Sequence, residues 1–231
     1  RSRAFDLLMT VSVLATRVKD CREEDRQHLM KLLQYINYTI DDKMIFKRDS
    51  KIILEAYSDA SFNCYQEDGK GQSAFAIFVT NDGAAVMVKS NKQYLTAQSA
   101  MESELMAIND CYKEVIWVKN ILEELGYKIP IGTLYTDNKA AICVIKNPNI
   151  QNKKHSRHIR RQLFGISERI QEGILSVKYC PTREMIVDPL TKPLSGVRSR
   201  KHFERLSGER YEILALNGNN KEDNNWVKSE K

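Results

Sequence analysis

Closely spaced cysteines are absent from this sequence of 231 residues, although it contains five cysteines. The two nearest to each other are Cys111 and Cys143, so the sequence has no CxxC pair. This spacing excludes a zinc ribbon or a thioredoxin-type site and argues against a disulfide-rich secreted scaffold. We therefore expect the cysteines to be small buried side chains in a reducing compartment.

Long hydrophobic runs are also absent. No apolar segment approaches the roughly 18 residues that a membrane-spanning helix needs, and the first residues do not resemble a secretory signal. We therefore expect no membrane partner and an intracellular location. The sequence has no glycine-rich loop that could bind a phosphate group. It also has no nucleophile elbow, which argues against Ser/His/Asp catalysis. A helix-like pattern is already present at Arg1, which indicates a piece of a longer protein.

The excess of basic residues is modest. There are 36 Lys and Arg residues against 30 Asp and Glu, which gives a formal net charge of +6. This charge is compatible with a polyanionic partner but does not establish one. Hydrophobic residues make up 42% of the chain and charged residues 29%, so the composition is that of a chain that folds around a core.

Hydrophobic periodicity predicts a helical segment followed by a mixed α/β region. Apolar residues recur at helical spacing over residues 4–18 and again from about 23 to 36, and a boundary follows near Ser50. Asn81-Asp82-Gly83 is predicted to be a tight hairpin turn with a positive φ at Gly83. Beyond Ser50 the sequence predicts strands at 51–59, 73–80, 84–89, 131–136 and 174–180, and helices at 99–125, 139–146 and 158–171.

Four acidic residues stand where a metal site would need them. Asp59 and Asp137 each end a predicted strand, Glu104 lies in the first turns of the long predicted helix, and Asp188 follows the last strand. Sites in open α/β sheets form at the carboxyl ends of strands, so these acids can converge there. Carboxylates held together repel one another, and Mg²⁺, which prefers oxygen ligands, neutralises them well. Taken singly, each acid could instead be a helix cap or a turn former.

Four short motifs give these acids a common context. They are YSDAS around Asp59, ELMA from Glu104, TDNKAA around Asp137 and VDPLTKPL around Asp188. In this order they resemble the ribonuclease H domain of copia-type (Ty1/copia, Pseudoviridae) retrotransposon polyproteins. Residues 1–40 resemble the last helices of the reverse transcriptase that precedes this domain, but the YxDD metal site of the polymerase is absent.

The resemblance implies a fold and a division of the chain. The fold is of the α/β class, with an RNase H-like mixed five-stranded sheet flanked by helices and preceded by a short α-helical segment. Residues 1–50 would be C-terminal helices of the reverse transcriptase, residues 51–206 the RNase H-like domain, and residues 207–231 a polar disordered tail. The upstream polymerase domain of the reverse transcriptase would be a partner.

The resemblance also implies a reaction, the Mg²⁺-dependent endonucleolytic hydrolysis of the RNA strand of RNA–DNA hybrids. The family's catalytic acids, which hold two Mg²⁺ (or Mn²⁺) ions, match four residues of this chain: Asp59, Glu104, Asp137 and Asp188. Glu102 is the alternative to Glu104, because the family usually carries two glutamates at this place. Asp188 is expected to be the least well placed acid, since Pro189 disfavours a helical backbone at the residue before it.

A basic segment, KKHSRHIRR, occupies residues 153–161 and contains no acid. Lys and Arg side chains contact phosphates independently of base sequence, so we predict that this segment binds nucleic acid. The predicted nucleic-acid-binding residues are Lys153, Lys154, Arg157, His158, Arg160 and Arg161. The alternatives are an exposed charged start of a helix or a nuclear-localisation-like run. His155 and His158 are poor candidates for zinc, because no cysteine lies at metal-site spacing from them.

Three functions remain open on the sequence. The first is a retrotransposon ribonuclease H that acts on RNA–DNA hybrids in a cytoplasmic virus-like particle or in the nucleus. The second is a catalytically inactive, degenerate retrotransposon fragment that only binds nucleic acid, which Pro189 and the missing polymerase site favour. The third is a structural connection domain that supports a polymerase in trans. Mg²⁺-dependent cleavage of a labelled hybrid distinguishes the first function from the other two.

Overall fold

The computed structural model describes residues 4–47, 50–147, 157–192 and 197–208. Of the predicted tail 207–231, residues from 209 onwards lie outside the described residues. Lys153 and Lys154 of the basic segment also lie outside them, and for Arg157, His158, Arg160 and Arg161 only the backbone is described. The predicted nucleic-acid contacts of this segment therefore stay predictions.

Five strands form one mixed sheet within the described part of the chain, in the order β3-β2-β1-β4-β5. They are β1 (Ile52–Tyr65), β2 (Lys70–Thr80), β3 (Met87–Lys92), β4 (Gly132–Thr136) and β5 (Leu175–Tyr179). β2 runs antiparallel to β1 and to β3, whereas β4 runs parallel to β1 and to β5. The predicted α/β class with a mixed five-stranded sheet is confirmed.

Helices precede the sheet and flank it. They are α1 (Leu8–Thr16), α2 (Glu23–Tyr38), α3 (Ala100–Glu124), α4 (Lys139–Lys146), α5 (Arg157–Gln171) and α6 (Val197–Ser207). The long helix α3 begins after Ser99, whose hydroxyl accepts a hydrogen bond from the Glu102 backbone N–H at 3.2 Å. It ends before Gly126, which adopts a φ of 89° and so stops the helix as its sequence predicts. Across the described ranges, none of the helices is both long and apolar enough to cross a membrane.

The hydrophobic core lies on both faces of the sheet, because alternate residues of a strand point to opposite faces. Leu54 of β1 and Phe75 of β2 belong to the cluster that includes Leu105 and Ile108 of α3. On the other face, Phe78 of β2 belongs to a second cluster, which includes side chains from both ends of the described chain. The sheet is therefore covered on both sides, and its carboxyl edge is the place where polar side chains from different elements can meet.

Two local predictions are wrong. β1 does not end at Asp59 but continues to Tyr65, because the antiparallel partner β2 extends beyond the point where the parallel partner β4 stops. Residues 81–83 do not form a tight hairpin, and Gly83 does not have a positive φ. The backbone groups of this loop bind elsewhere: the Ala84 N–H donates to the Ile45 carbonyl at 2.9 Å, and the Arg205 guanidinium donates to the Gly83 carbonyl at 3.1 Å.

The expectation of buried cysteines holds only in part. Cys111 and Cys180 are buried, and Cys111 lies in the cluster beneath α3. Cys21, Cys64 and Cys143 are exposed, so the expectation is wrong for them. All five are free thiols.

Candidate metal centre

Asp59 and Asp137 lie side by side at the carboxyl edge of the two central parallel strands. The parallel register pairs Tyr57 of β1 with Tyr135 of β4. Asp59 lies within β1, two residues after Tyr57, and Asp137 is the first residue after β4, two residues after Tyr135. The two carboxylates therefore approach each other because of the register, and β1 continues past Asp59 without disturbing this pairing.

Glu104 reaches the same place from the second turn of α3. In the preceding turn the side chain of Glu102 accepts a hydrogen bond from the Gln98 backbone N–H at 2.9 Å, while its own N–H donates to Ser99. Glu102 is therefore hydrogen-bonded at the start of the helix through both its backbone and its side chain. The structure therefore favours Glu104 over Glu102 as the acid that meets Asp59.

The carboxylates of Asp59, Glu104 and Asp137 form one group, in which one oxygen from each lies within 4.8 Å of the others. The predicted convergence of these three acids is confirmed. Asp59 is 1% exposed and Glu104 7% exposed, and Asp137 is half-buried. Asp59 Oδ1 and Glu104 Oε2 are buried and have no hydrogen-bond partner, which is rare for carboxylate oxygens.

Burial and mutual repulsion make this three-acid group costly to ionise. Burial raises the pKa of Asp59 to about 6, although Lys192 and a hydrogen bond from Thr191 act in the opposite direction. Burial, with the added charges of Asp59 and Asp137, raises the pKa of Glu104 well above its usual value. A hard divalent cation fits these donors, because it prefers carboxylate oxygens and would satisfy the two unpartnered ones.

Asp137 has a neighbour that fixes its orientation. The Thr182 hydroxyl donates a hydrogen bond of 2.8 Å to Asp137 Oδ2. Thr182 begins the short turn that follows β5, so a residue 45 positions later in the chain holds the carboxylate. The following residue, Asn138, caps helix α4 by accepting a hydrogen bond from the Ala141 N–H at 2.9 Å.

Asp188 lies outside the three-acid group but close to Asp59. It begins a short 3-10 turn, Asp188–Leu190, in which Pro189 occupies an early position that needs no N–H donor. The turn buries Asp188 to 3% exposure, and its Oδ1 lies 2.6 Å from the Lys192 ammonium. Pro189 therefore does not expel the carboxylate from the protein, and Asp188 pairs with a side-chain cation.

Two residues of this region were not predicted from the sequence. The Thr191 hydroxyl donates a hydrogen bond to Asp59 Oδ2, and the Lys192 ammonium lies 3.5 Å from the same oxygen. Burial lowers the pKa of Lys192, but Asp59 and Asp188 outweigh this effect, and its net pKa is raised. Both residues stand in the VDPLTKPL motif, although the local pattern does not show that they approach Asp59.

The mixed five-stranded sheet with its flanking helices has an RNase H-like architecture. The homologues of this chain are retrovirus-related Pol polyproteins from copia-type transposons, and they match over most of its length. It is 28% identical over 176 residues to the Pol polyprotein from transposon RE1 of Arabidopsis thaliana, a match that covers 75% of the chain and 12% of the relative. It is 30% identical over 196 residues to the Ty1-NL2 Gag-Pol polyprotein of Saccharomyces cerevisiae, which covers 82% of the chain and 11% of the relative.

The chain thus spans only 11 to 14% of the length of the curated relatives it matches. No family model matches it. Among solved structures, LC11-RNase H1 in complex with an RNA/DNA hybrid is 10% identical, with a TM-score of 0.43 over 57% of this chain and 88% of that chain. A foamy viral protease-reverse transcriptase in complex with an RNA/DNA hybrid is 13% identical, with a TM-score of 0.40 over 60% of this chain and 20% of that chain.

Proposed function

We propose that this chain is the ribonuclease H part of a copia-type transposon Pol polyprotein and that it hydrolyses the RNA strand of RNA–DNA hybrids with divalent cations. The observation that carries the proposal is the three-acid group with its two unpartnered buried oxygens, at the carboxyl edge of an RNase H-like sheet. The homology to Pol polyproteins supports the same reaction class. Residues 1–50 would then be the end of the reverse transcriptase, and the polymerase domain would precede them.

The residues of the chain have distinct tasks in this proposal. Asp59, Glu104 and Asp137 hold a divalent cation, and Asp188 stands beside them. Bound divalent cations would favour the ionisation of an attacking water and stabilise the charge that develops on the phosphate. Thr182 and Thr191 keep the aspartates in place, which matters because small displacements of a catalytic group can cost on the order of a hundredfold in rate.

Basic side chains beside the acids support a polyanionic substrate. Lys139 follows Asp137 by two residues, and its ammonium lies 4.6 Å from the ring centre of Tyr179. Lys146 and Lys178 line the same groove between α4 and β5. Such side chains bind phosphates without reading base sequence, as an enzyme that acts on any hybrid requires.

The test is cleavage of an end-labelled RNA–DNA hybrid by the full chain with Mg²⁺. We expect cleavage of the RNA strand only, and we expect Asp137→Asn to reduce the rate by at least about a hundredfold, since it removes one ligand charge without changing the shape of the side chain. Asp41→Asn, the same change at an exposed aspartate, is the matched control and should cleave as the unaltered chain does.

The outcomes separate the proposal from its rivals. A chain that binds the hybrid in a mobility-shift assay but leaves it uncut with Mg²⁺ or Mn²⁺ would be an inactive nucleic-acid-binding fragment. Cleavage that persists in Asp137→Asn would remove the catalytic assignment. A chain that neither cleaves nor binds the hybrid, but forms a stable complex with the reverse transcriptase, would favour the structural connection domain.

A further inference from the structure

Lys192 places a positive charge between two of the four acids. Its Nζ lies 2.6 Å from Asp188 Oδ1 and 3.5 Å from Asp59 Oδ2. The Thr191 hydroxyl contacts the same Asp59 oxygen, whereas Asp59 Oδ1 has no partner. The two oxygens of Asp59 therefore have different surroundings: one contacts Thr191 and Lys192, and the other is buried without a hydrogen bond.

Asp59 consequently belongs to two sets of carboxylates. With Glu104 and Asp137 it forms the three-acid group, and with Asp188 it flanks the Lys192 ammonium. Each set could hold one cation, and the two positions would share the Asp59 carboxylate. This is the arrangement of a two-ion site, in which the ions lie about 4 Å apart. In the described residues, a lysine side chain stands at the second of these positions.

This inference rests on the proposed function: we propose that the Lys192 ammonium occupies the second cation position in the free protein. The site then binds one divalent ion, and it takes a second ion only when the ammonium leaves Asp59 and Asp188. Two like charges cannot share the space between the same two carboxylates. Lys192 can leave, because 38% of its side chain is exposed and its long stem lets the ammonium reach water. The three-acid group does not depend on this movement, since its unpartnered oxygens belong to Asp59 and Glu104 and are already available.

The experiment counts ions on the full chain with Mn²⁺ as the probe, by calorimetric titration and by electron paramagnetic resonance. We expect one Mn²⁺ on the unaltered chain and two on Lys192→Ala. The affinity for the second ion should rise at least about tenfold, which corresponds to about 1.4 kcal/mol. Two ions about 4 Å apart should also couple magnetically and broaden the resonance. The double variant Lys192→Ala/Asp188→Asn should return to one ion, because it lacks a ligand of the second position.

The control is Lys119→Ala. Lys119, like Lys192, forms an ion pair with an acid four residues away in the chain, in this case Glu123. Lys119 lies 15 residues after Glu104 on α3, about 22 Å along the helix axis, so its loss should leave the number of ions at one. Lys192→Met removes the same charge while keeping most of the apolar stem, and it replaces Lys192→Ala if circular dichroism shows that the alanine variant is unfolded.

Two results would overturn the inference: two ions already bound to the unaltered chain with the affinity of Lys192→Ala, or one ion still bound to Lys192→Ala. Hybrid cleavage is measured separately on the same samples. An increase from one ion to two in a chain that never cuts a hybrid would uphold the inference and refute the proposed function. If the unaltered chain cleaves the hybrid but Lys192→Ala binds the same number of ions as the unaltered chain, the proposed function is upheld and the inference about Lys192 is refuted.

Discussion

At the scale of single residues, burial determines how the acids behave when no cation is bound. Asp59 and Glu104 are almost completely buried, and burial is the largest cause of the raised pKa of each. Part of their population is therefore protonated at a pH where an exposed carboxyl group is fully ionised. A divalent cation favours the ionised forms, so cation binding and proton release are coupled at this site.

This coupling predicts how the stability of the cation-free protein depends on pH. The pKa of Asp59 is raised from 3.8 to about 6. Between these values the unfolded chain releases the proton that the folded chain retains, so the free energy of unfolding decreases as the pH rises. We expect Asp59→Asn, which carries no charge, to reduce this decrease and to be more stable than the unaltered chain at pH 7 in EDTA, by about 1 to 3 kcal/mol.

The measurement is urea unfolding in EDTA at several pH values from 4 to 8, with Asp41→Asn as the control at an exposed position. The free energies of unfolding of Asp59→Asn and Asp41→Asn should differ mainly above pH 4. An Asp59→Asn curve parallel to that of the unaltered chain would show that folding does not raise the pKa of Asp59.

At the scale of elements, the position of Glu104 depends on how α3 begins. The buried amide of Gln93, just after β3, donates to Ser73 Oγ at 2.8 Å and to the Ser103 carbonyl at 2.9 Å. The Ser103 hydroxyl donates back to Gln93 Oε1 at 3.1 Å. One side chain thus connects β2 to the first turn of α3, immediately before Glu104. We infer that Gln93 is a positioning residue for this acid.

Replacing Gln93 should therefore affect both stability and metal binding. Gln93→Leu leaves polar groups of Ser73 and Ser103 buried without their partner, which costs about 1 to 3 kcal/mol for each unsatisfied group. We expect a lower urea midpoint and a weaker affinity for Mn²⁺ under conditions where the variant is folded. Gln34→Leu, the same substitution at an exposed position of α2, is the control. Unchanged Mn²⁺ affinity in folded Gln93→Leu would limit Gln93 to a role in packing.

At the scale of the whole molecule, the segment before Ser50 contributes to the same core as the sheet. Phe5 is 5% exposed, and its ring centre lies 6.0 Å from that of Phe203 in α6. The Ile45 N–H donates to the Ser207 carbonyl at 2.7 Å, and the Ile45 carbonyl accepts from the Ala84 N–H. The two ends of the described chain therefore meet on one face of the sheet, and a cut near Ser50 would expose part of that face.

This packing predicts a large effect from a residue far from the acids. Phe5→Ala should lower the free energy of unfolding by about 3 to 5 kcal/mol, as is usual for removal of a buried phenylalanine side chain. Phe46→Ala is the control, since Phe46 is 60% exposed and should lose little. The measurement is urea unfolding of the full chain. Equal midpoints for the two variants would mean that the first residues do not belong to the folded core.

The types and order of the principal elements could be predicted from the sequence, because periodicity is a local property. The apolar stripe of α3 and its stop at Gly126 lie within one short stretch of chain, and the structure follows them closely. The candidate acids could be proposed because each stands in a short ordered motif. Glu104 could be preferred to Glu102 by motif, although the physical reason, the engagement of Glu102 in the cap, is visible only in the structure.

Tertiary structure decided what depends on contacts between distant parts of the chain. The length of β1 was set by its partner strands, and the loop around Gly83 was set by hydrogen bonds to Ile45 and Arg205. The placement of Lys192 between Asp59 and Asp188 depends on a turn that packs against a strand more than a hundred residues earlier. Local pattern does not encode such proximity, because the free energy that brings these groups together comes from burying the surrounding core.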